Sequence, residues 1–572
     1  MARLLLLSAV TALFADSSYL PIAAIFHPAL YLAFLYSCRR WRGRVFGWIV
    51  VSLCRAVLAR DYMYTDGNPP AIAYVEGLVI ISVLYGVLTI MMLVQCCVWI
   101  DSERCNGVSG LDTQYSTYPN ESTPLRVGSS TMGSSSDGDV KEKYAEGEMD
   151  GGNQIGSTMN TNSSHRHCTF IHHPRISPLV FPTLFTCIYQ IVFRYSPIGG
   201  TGNPAMGLAQ VPGLRQIVSV TGEISLVYWI GWVASITAGL GVFYSPSNRG
   251  RTKNRIADEH VIVFVTLTLA MFIFGSMRER SGRGVYLDDI SQWPATQANV
   301  APLKVSCLTR TSTNEMIRRT NERIAAGDDL IVWSETASDD SVLPNMFEWS
   351  DENTNAVVAA TFYEQVQDSN KVYNRVQMMQ SGVIIATYAK NRPVPVIESN
   401  VMRGQTKPHS TDVTFMPQLS TCNGEHGNCT ASGAPPRQRH VVKTTMAICF
   451  DFDFSYLFMQ AHDADLAVGP SWYWASIGQN LWEHNIFRAI ENGFTLIKCS
   501  ENGISGAVDL YGKTIAALPT LSDDVYTFKV PVQKGVQTWF ESGGWIFGWA
   551  CVGLSPLIFL VAVAGRSSGQ NK

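Results

Sequence analysis

Six long runs of apolar residues, each free of Asp, Glu, Lys and Arg, restrict what this 572-residue chain can fold into. The runs hold 17 to 25 residues, which is the length that an α-helix needs to cross the hydrocarbon core of a bilayer. Backbone polar groups in lipid must be hydrogen-bonded within their own segment, so helices are the expected conformation. The sequence therefore predicts a multi-pass helical membrane region. The runs occupy 17–38, 77–100, 176–193, 224–248, 261–277 and 542–565.

Two shorter segments, 4–15 and 45–59, are weaker candidates. The first follows Arg3 and is similar to the apolar part of a signal peptide, but Leu13 stands where cleavage after Ala15 would favour a small residue. We therefore expect a retained helix. The second contains Arg55, which is costly in lipid unless it is paired or reaches the interface.

Two arginine-rich loops, 39–44 and 249–255, give the expected sidedness. The positive-inside rule places both on the cytoplasmic side, which requires an even number of spans between them. Counting 45–59 meets that condition. We predict spans one to four within 1–100, spans five to seven within 176–278 and span eight at 542–565. The region between the last two spans then faces the non-cytoplasmic side, an endomembrane lumen or the cell exterior, although the arginines at 278–283 oppose this.

Residues 101–175 differ from the rest of the chain in being rich in Gly, Ser, Thr and Asn. Such a segment buries too little apolar surface to offset its ordering entropy, so we expect a disordered cytoplasmic loop. Its histidines and a cysteine are irregularly spaced, and we expect no metal site there. These residues are His165, His167, Cys168, His172 and His173.

Residues 300–535 alternate short β-rich runs with two helix-like stretches, which is typical of an α/β domain. We predict helices at 314–326 and 479–492. The predicted strands are 303–308, 330–333, 356–362, 382–388, 444–450, 465–468, 495–499 and 507–510.

The remaining bulk properties exclude little. A net charge of -3 gives no indication of nucleic-acid binding, and 13 cysteines are ordinary for this length. Cys422 and Cys429 bracket a short loop that carries the glycosylation sequon at Asn428, so they form a disulfide if this region is lumenal. Whether they do so is left open.

Three predicted strands end on reactive side chains. Glu335 follows "LIVWS", Lys390 follows "GVIIATYA" and Cys449 follows "TTMAI". In α/β proteins, ligands bind at the carboxyl ends of strands, and a thiol, an ammonium and a carboxylate together support acyl transfer. Each residue also has an ordinary structural interpretation: a strand end at the surface, a solvated lysine and a buried thiol. Spacing alone leaves both interpretations open.

The three motifs resemble those of the nitrilase superfamily. "IVWSETA", "YAKNRPVPVIE" and "AICFDFDF" are similar to the Glu, Lys and Cys motifs of its membrane branch, the apolipoprotein N-acyltransferase family. Glu398 lies eight residues after Lys390, as in that family, and "VYNRVQ" with Asn374 resembles its Tyr-Asn-Ser strand. The resemblance continues from Trp472 to 512, and it covers nearly the whole chain apart from 102–170.

The resemblance implies a fold and a set of site residues. The expected fold is a multi-pass α-helical membrane domain plus an α/β nitrilase-like domain built as an α-β-β-α sandwich. Glu335, Lys390 and Cys449 are the implied catalytic residues, and no cofactor is expected. The implied supporting residues are Glu398, Asp451, Asn374, Phe450 and Trp472.

Several positions depart from the family pattern. Phe450 and Asp451 stand where Tyr and Glu are usual, Ser334 replaces a Pro, and 396–397 replaces Phe-Gly. The three reactive residues are intact, so the resemblance implies that the chain carries out the chemistry. The long loop and three sequons indicate a eukaryotic, fungal-like source, which would lack the bacterial lipoprotein acceptor.

The chemistry implied by the resemblance is a two-step exchange. Cys449 takes an acyl chain from a membrane phospholipid as a thioester, with Glu335 as base and Lys390 stabilising the oxyanion, and an amine-bearing protein or small molecule then receives the chain. Glu398 and Asp451 would orient Lys390 or accept a proton from the amine. The alternatives are a membrane-tethered amidase or nitrilase, in which water replaces the amine, and a non-catalytic scaffold that recruits partners.

Overall fold

The computed structural model describes most of the chain outside its polar connections. The described residues are 2–13, 21–38, 40–63, 70–105, 177–243, 251–283, 302–339, 356–395, 397–416, 439–473 and 477–570. The predicted disordered loop lies outside this set from residue 106 onward. The histidine cluster and the Cys422–Cys429 pair also fall outside it.

The described parts of all eight predicted apolar segments lie largely on helices. The helices of the amino-terminal half are α1 (Ala2–Leu13), α2 (Pro21–Ser37), α3 (Trp41–Met63), α4 (Pro70–Cys105), α5 (Ser177–Tyr195), α6 (Pro212–Arg215), α7 (Val218–Thr221), α8 (Ile224–Phe243) and α9 (Arg251–Arg283). A 3-10 helix, Met206–Gln210, precedes α6. The later helices are α10 (Thr313–Ala325), α11 (Ile477–Asn492) and α12 (Ile546–Gln570).

Two of the described helical stretches are long and apolar enough to cross a membrane. They are Glu259–Arg280 within α9 and Phe540–Val561 leading into α12. A third span results if Pro212–Thr221 and Ile224–Leu240, which meet at a bend of 119°, count as one. Only 6% of the apolar part of the α9 stretch is buried inside the protein, as expected for a helix that presents its side chains to lipid. That eight helices cross the membrane, and with which sidedness, stays a prediction.

The described part of the α/β region contains two mixed sheets. Their strands are β1 (Leu303–Leu308), β2 (Leu330–Trp333), β3 (Ser338–Asp339), β4 (Val357–Gln365), β5 (Val372–Gln380), β6 (Val383–Ala389), β7 (Thr411–Phe415), β8 (His440–Met446), β9 (Leu466–Trp472), β10 (Thr495–Glu501), β11 (Gly503–Val508), β12 (Thr514–Thr520) and β13 (Val525–Val530). The first sheet has the order β13-β1-β2-β4-β5-β6, with β3 beside β4, and the second has the order β12-β11-β10-β9-β8-β7.

Strand direction brings distant chain segments to one edge. In the first sheet, β2 and β4 are parallel, and two antiparallel steps through β5 return β6 to the same direction. In the second sheet, β8, β9 and β10 run parallel. The carboxyl ends of β2 and β6 therefore share one edge, and those of β8 and β9 share another.

The two sheets pack face to face, with one helix outside each. The thiol of Cys499 on β10 donates to the carbonyl of Val332 on β2 at 3.1 Å, so the two sheets are in direct contact there. Met316 of α10 is buried with Ile331 and Trp333 on the outer face of the first sheet. Helix α11 covers β10 and β11 of the second. This arrangement agrees with the α-β-β-α sandwich expected from the sequence.

One predicted strand extends beyond the end of the observed strand. The run 444–450 was expected to be a single strand, but β8 ends at Met446 and a 3-10 helix occupies Cys449–Asp453. Cys449 has a φ of 48°, a left-handed conformation that interrupts a strand. The edge strands β7, β12 and β13, the short β3 and the central β5 were missing from the predicted strands, because their mixed composition lacks a continuous apolar run. Only the resemblance of "VYNRVQ" to a family strand indicated β5.

A buried charge network joins the α/β region to the segment before α8. Arg488 on α11 donates to the carboxylates of Glu223 and Glu491, and its Nε donates to the carbonyl of Phe452 at 2.8 Å. Glu491 also accepts from the backbone N–H of Glu223 at 2.8 Å. In the same junction, Thr201 donates to Asp453 at 2.8 Å. The region after β8 is therefore attached directly to the helical half of the protein.

Candidate active site

The three reactive side chains singled out in the sequence lie at neighbouring strand ends. Glu335 follows β2, Lys390 follows β6 and Cys449 follows β8. All three are buried, with 1–3% of each residue exposed. The face-to-face packing of the sheets brings the two edges together, since each residue leaves its strand at the carboxyl end.

Lys390 is held between two carboxylates. Its Nζ lies 2.6 Å from Oε1 of Glu335 and 2.6 Å from Oε2 of Glu398. Burial lowers the pKa of Lys390, but the two facing carboxylates outweigh burial and hold its pKa well above the ordinary value. The side chain is therefore a fixed cation, paired with both carboxylates.

Glu335 receives three hydrogen bonds. Its Oε1 accepts from Lys390 and, at 2.7 Å, from Nδ2 of Asn374 on β5. Its Oε2 accepts from the backbone N–H of Trp472 at 2.9 Å. The amide of Asn374 also lies 3.3 Å from Oε1 of Glu398. Asn374 thus separates two carboxylates that would otherwise repel each other.

Cys449 is tied to the same strand end as Glu335. Its Sγ donates to the carbonyl of Trp472 at 3.3 Å, while the N–H of Trp472 donates to Glu335. One residue at the end of β9 therefore connects the thiol and the carboxylate through its backbone. The left-handed φ of 48° at Cys449 costs free energy, which the surrounding contacts must offset.

The thiol is neutral in this environment. Burial raises the pKa of Cys449 well above its usual range, and the negative charge of Glu335 adds to that effect. The positive charges of Lys390 and Lys498 act in the opposite direction. A neutral thiol needs a base to become nucleophilic, and the carboxyl group of Glu335 is the nearest candidate that the Trp472 backbone connects to it.

Asp451 and Phe450 have different surroundings from those of the ion pair. Asp451 accepts from the hydroxyl of Tyr388 at 2.8 Å and from the backbone N–H of Arg392 at 2.7 Å. Burial raises the pKa of Asp451 to about 6. Asp451 therefore ties the turn after Cys449 to the strand end that carries Lys390. Phe450 packs edge-on against Phe454, with ring centroids 5.5 Å apart.

Sequence reasoning missed Lys498, in the middle of β10. It is 1% exposed, and among the described residues its Nζ has no hydrogen-bond partner. The Nζ lies 4.3 Å from the ring centroid of Phe452 and 5.6 Å from that of Tyr473. Burial lowers the pKa of Lys498 to about 8. A lysine flanked by Leu, Ile and Cys within a strand was the signal available in the sequence.

The described residues contain no group of three His, Cys, Asp or Glu side chains arranged to hold a metal ion.

Comparison with proteins of known name gives a consistent result. Eight relatives were found, and all carry the name apolipoprotein N-acyltransferase. The protein from Haemophilus ducreyi is 30% identical over 113 residues, covering 18% of this chain and 22% of the relative. That from Methylococcus capsulatus is 22% identical over 386 residues, covering 63% and 69%. This chain is similar to proteins named apolipoprotein N-acyltransferase.

The extent of the match to this family varies. The protein from Pseudomonas aeruginosa is 24% identical over 258 residues, covering 42% of this chain and 47% of the relative. The chain thus spans less than half the length of several apolipoprotein N-acyltransferases that it matches. No family model matches the chain.

Solved structures similar to part of this chain were also found. An amidase from Nesterenkonia sp. covers 40% of this chain and 91% of its own, at 14% identity and a TM-score of 0.31. Saccharomyces cerevisiae Nit3, a member of branch 10 of the nitrilase superfamily, covers 43% and 95%, at 15% identity and a TM-score of 0.31.

Proposed function

We propose that this protein is a membrane N-acyltransferase, which moves a fatty acyl chain from a phospholipid to an amine through a thioester on Cys449. The observation that carries the proposal is the connection of three groups. Lys390 pairs with Glu335, and Trp472 links Glu335 to the thiol through its backbone. The name shared by the relatives supports transfer of an acyl chain to nitrogen.

In the first half-reaction, Glu335 takes the proton of Cys449 while the sulfur attacks an ester carbonyl. The carbonyl oxygen becomes an oxyanion. An ammonium has three donors, and Lys390 uses two of them on Glu335 and Glu398, so the third is free for the oxyanion. The carbon–oxygen bond of the ester then breaks, Glu335 returns the proton to the leaving oxygen, and a lysophospholipid departs.

In the second half-reaction, an amine attacks the thioester. Glu335 accepts the proton that the nitrogen loses, Lys390 again stabilises the oxyanion, and the carbon–sulfur bond breaks. The thiolate recovers a proton from Glu335, which restores the starting state. In this scheme Glu398 and Asn374 keep Lys390 and Glu335 in place, and Asp451 holds the turn at Cys449.

A lipid donor explains why the reactive groups sit on a chain with membrane-length helices. The stretch Phe540–Val561 begins ten residues after β13 ends at Val530, so the α/β region is held close to the bilayer. A donor with two acyl chains can then reach the thiol without leaving the membrane. We further propose that this region faces the non-cytoplasmic side, which protease protection in sealed vesicles would test.

Intact-protein mass spectrometry tests the proposal. Purified protein is incubated with phospholipid, wild type beside Cys449→Ala. We expect a mass increase of one fatty acyl chain on the wild type, removed by hydroxylamine and absent from the variant. Adding a long-chain primary amine should then discharge the adduct as an amide.

Two other results would count against the proposal. An adduct that is lost to water and never to an amine would indicate a membrane-tethered hydrolase. No adduct at all, with Cys449 still alkylated by iodoacetamide, would mean that phospholipid is not the donor.

A further inference from the structure

Four cationic side chains form a cluster: two guanidinium groups lie over the ring of Tyr456, a third lowers the pKa of one of them, and a lysine lines the same cavity as that ring. Arg194 ends α5, Arg392 follows Lys390 by two residues, and Arg403 and Lys407 lie on the segment before β7. The Cζ of Arg194 lies 3.9 Å from the ring centroid of Tyr456, and that of Arg392 lies 5.3 Å from the same centroid. Two guanidinium groups from distant parts of the chain therefore share one aromatic surface.

None of the four cations forms an ion pair with a carboxylate of the described residues. Burial lowers the pKa of Arg392, and the neighbouring charges of Arg403 and Arg194 lower it further. The Nε of Arg392 is buried without a hydrogen-bond partner among the described residues. Repelling cations with an unused buried donor favour binding of an anion.

A cavity of about 460 Å³ opens beside the cluster. Arg194, Lys407 and Tyr456 form part of its wall, and Trp545 and Trp549, at the start of the last helix, form another part. The cavity therefore has a cationic side and an aromatic side at the level of a membrane-length helix.

Two carboxylates also line this cavity, and they share one cation. Glu223 and Glu491 both accept from Arg488, and Glu223 accepts in addition from Nδ2 of Asn203 at 2.8 Å. They therefore oppose an anion near Arg194 less than free carboxylates would.

We propose that Arg194, Arg392 and Lys407 bind a phosphate group, with the Tyr456 ring as the floor and the Trp545 and Trp549 side of the cavity taking an apolar chain attached to it. Forked guanidinium groups match the geometry of phosphate oxygens. The anion that a membrane presents next to acyl chains is a phosphodiester. The inference rests on the proposed function insofar as the phosphate is that of a phospholipid.

The cluster of cations lies next to the segment that begins at Cys449. Phe454 and Tyr456, which contact Arg392, follow directly on the 3-10 helix that begins at Cys449. A phosphate bound here lies on the segment next to the thiol, so it would hold a phospholipid by its headgroup while an ester carbonyl is presented to Cys449.

The test measures binding separately from turnover. The full-length chain with Cys449→Ala, which forms no thioester, is purified in detergent and offered phosphatidylglycerol or diacylglycerol with the same acyl chains. Retained lipid is counted by native mass spectrometry. The variants are the double change Arg194→Gln with Arg392→Gln, the charge-preserving pair Arg194→Lys with Arg392→Lys, and the control Arg318→Gln, which lies exposed on α10.

We expect phosphatidylglycerol, and not diacylglycerol, to be retained by the control. The double glutamine variant should retain at least about tenfold less, since each lost charged hydrogen bond weakens binding by that order. The double lysine variant should keep most of the binding. Equal melting temperatures would show that the variants are folded.

A second arm identifies the source of the phosphate. If inorganic phosphate displaces phosphatidylglycerol, the headgroup occupies this cluster. If phosphate raises the melting temperature of the control while no phospholipid is retained, the site takes free phosphate. The proposal is wrong if the double glutamine variant retains phosphatidylglycerol as the control does and phosphate has no effect.

Failure of this inference differs from failure of the proposed function. The first comparison uses proteins that keep Cys449. If the double glutamine variant and the wild type form the acyl adduct at the same half-saturating phospholipid concentration, the phosphate site is contradicted and the acyltransferase proposal is not. If the protein retains phospholipid but the wild type forms no acyl adduct, the acyltransferase proposal is contradicted and the phosphate site is not.

Discussion

The ammonium of Lys390 lies 2.6 Å from Oε1 of Glu335, although 55 residues separate the two in the chain. Both side chains are buried, and Lys390 is also paired with Glu398. One cation therefore serves two carboxylates in a region that water does not reach, so removing it leaves two like charges facing each other.

Replacing Lys390 by Met should destabilise the protein as well as abolish adduct formation. Breaking a buried ion pair by removing one partner costs roughly 3–5 kcal/mol, because the remaining charge stays desolvated. The melting temperature in detergent measures the effect. Lys371→Met, at an exposed position, is the control and should melt with the wild type. A Lys390→Met protein as stable as the wild type would show that this ion pair is solvated.

Cys449→Gly should be more stable than Cys449→Ala, by about 1 kcal/mol. The φ of 48° at this position is unfavourable for a residue with a Cβ and acceptable for glycine. Both variants should be inactive. Cys499, on β10, gives the matched comparison, since there glycine should be less stable than alanine. The same order of stability at both positions would contradict strain at Cys449.

The pH dependence of alkylation at Cys449 should report on Lys498. A positive charge favours the thiolate and so lowers the pKa of the thiol. Lys498→Met should therefore slow the alkylation of Cys449 by iodoacetamide about tenfold below pH 8, because a smaller fraction of the thiol is ionised without this positive charge. The difference should shrink above about pH 8, where Lys498 itself loses its proton.

Peptide mass spectrometry distinguishes Cys449 from the other thiols in this experiment. Lys498→Arg keeps the positive charge, so its Cys449 should be alkylated about as fast as that of the wild type below pH 8. An unchanged profile in Lys498→Met would mean that the amine does not act on the thiol.

Asp451 should make the protein less stable as the pH rises from about 4 to 6. Burial raises the pKa of Asp451 from 3.8 to about 6, so the folded state binds its proton more tightly than the unfolded state does. The stabilisation is complete below pH 4 and is lost as the pH rises through 6; a shift of two units corresponds to about 3 kcal/mol.

Asp451→Asn should flatten this part of the profile, measured as melting temperature against pH and compared with Asp412→Asn at an exposed position. The absolute stability of the variant is expected to fall, because its amide cannot accept all the hydrogen bonds of Asp451. Parallel profiles for wild type and Asp451→Asn would show that this carboxyl titrates normally.

Much of the fold follows from local patterns. The strand at Leu303–Leu308 and that at Leu330–Trp333 lie where the apolar β-branched runs predict them, and the helix Thr313–Ala325 begins at the Ser312 cap. Long apolar runs likewise predict helices, because a continuous apolar surface favours that conformation in lipid. The positions of Glu335 and Lys390 at strand ends were also predictable.

Other features depend on contacts between distant segments. The double reversal through β5 returns β6 to the direction of β2, and that alone lets Lys390 meet Glu335. Lys498 affects the thiol of Cys449, which belongs to a different part of the chain. Arg194 and Arg392 share the ring of Tyr456 only because the helical half packs against the segment after Cys449. Propensity and periodicity act over a few residues, whereas these pairings depend on strand order, sheet packing and the burial of charge, which arise only when the whole chain is folded.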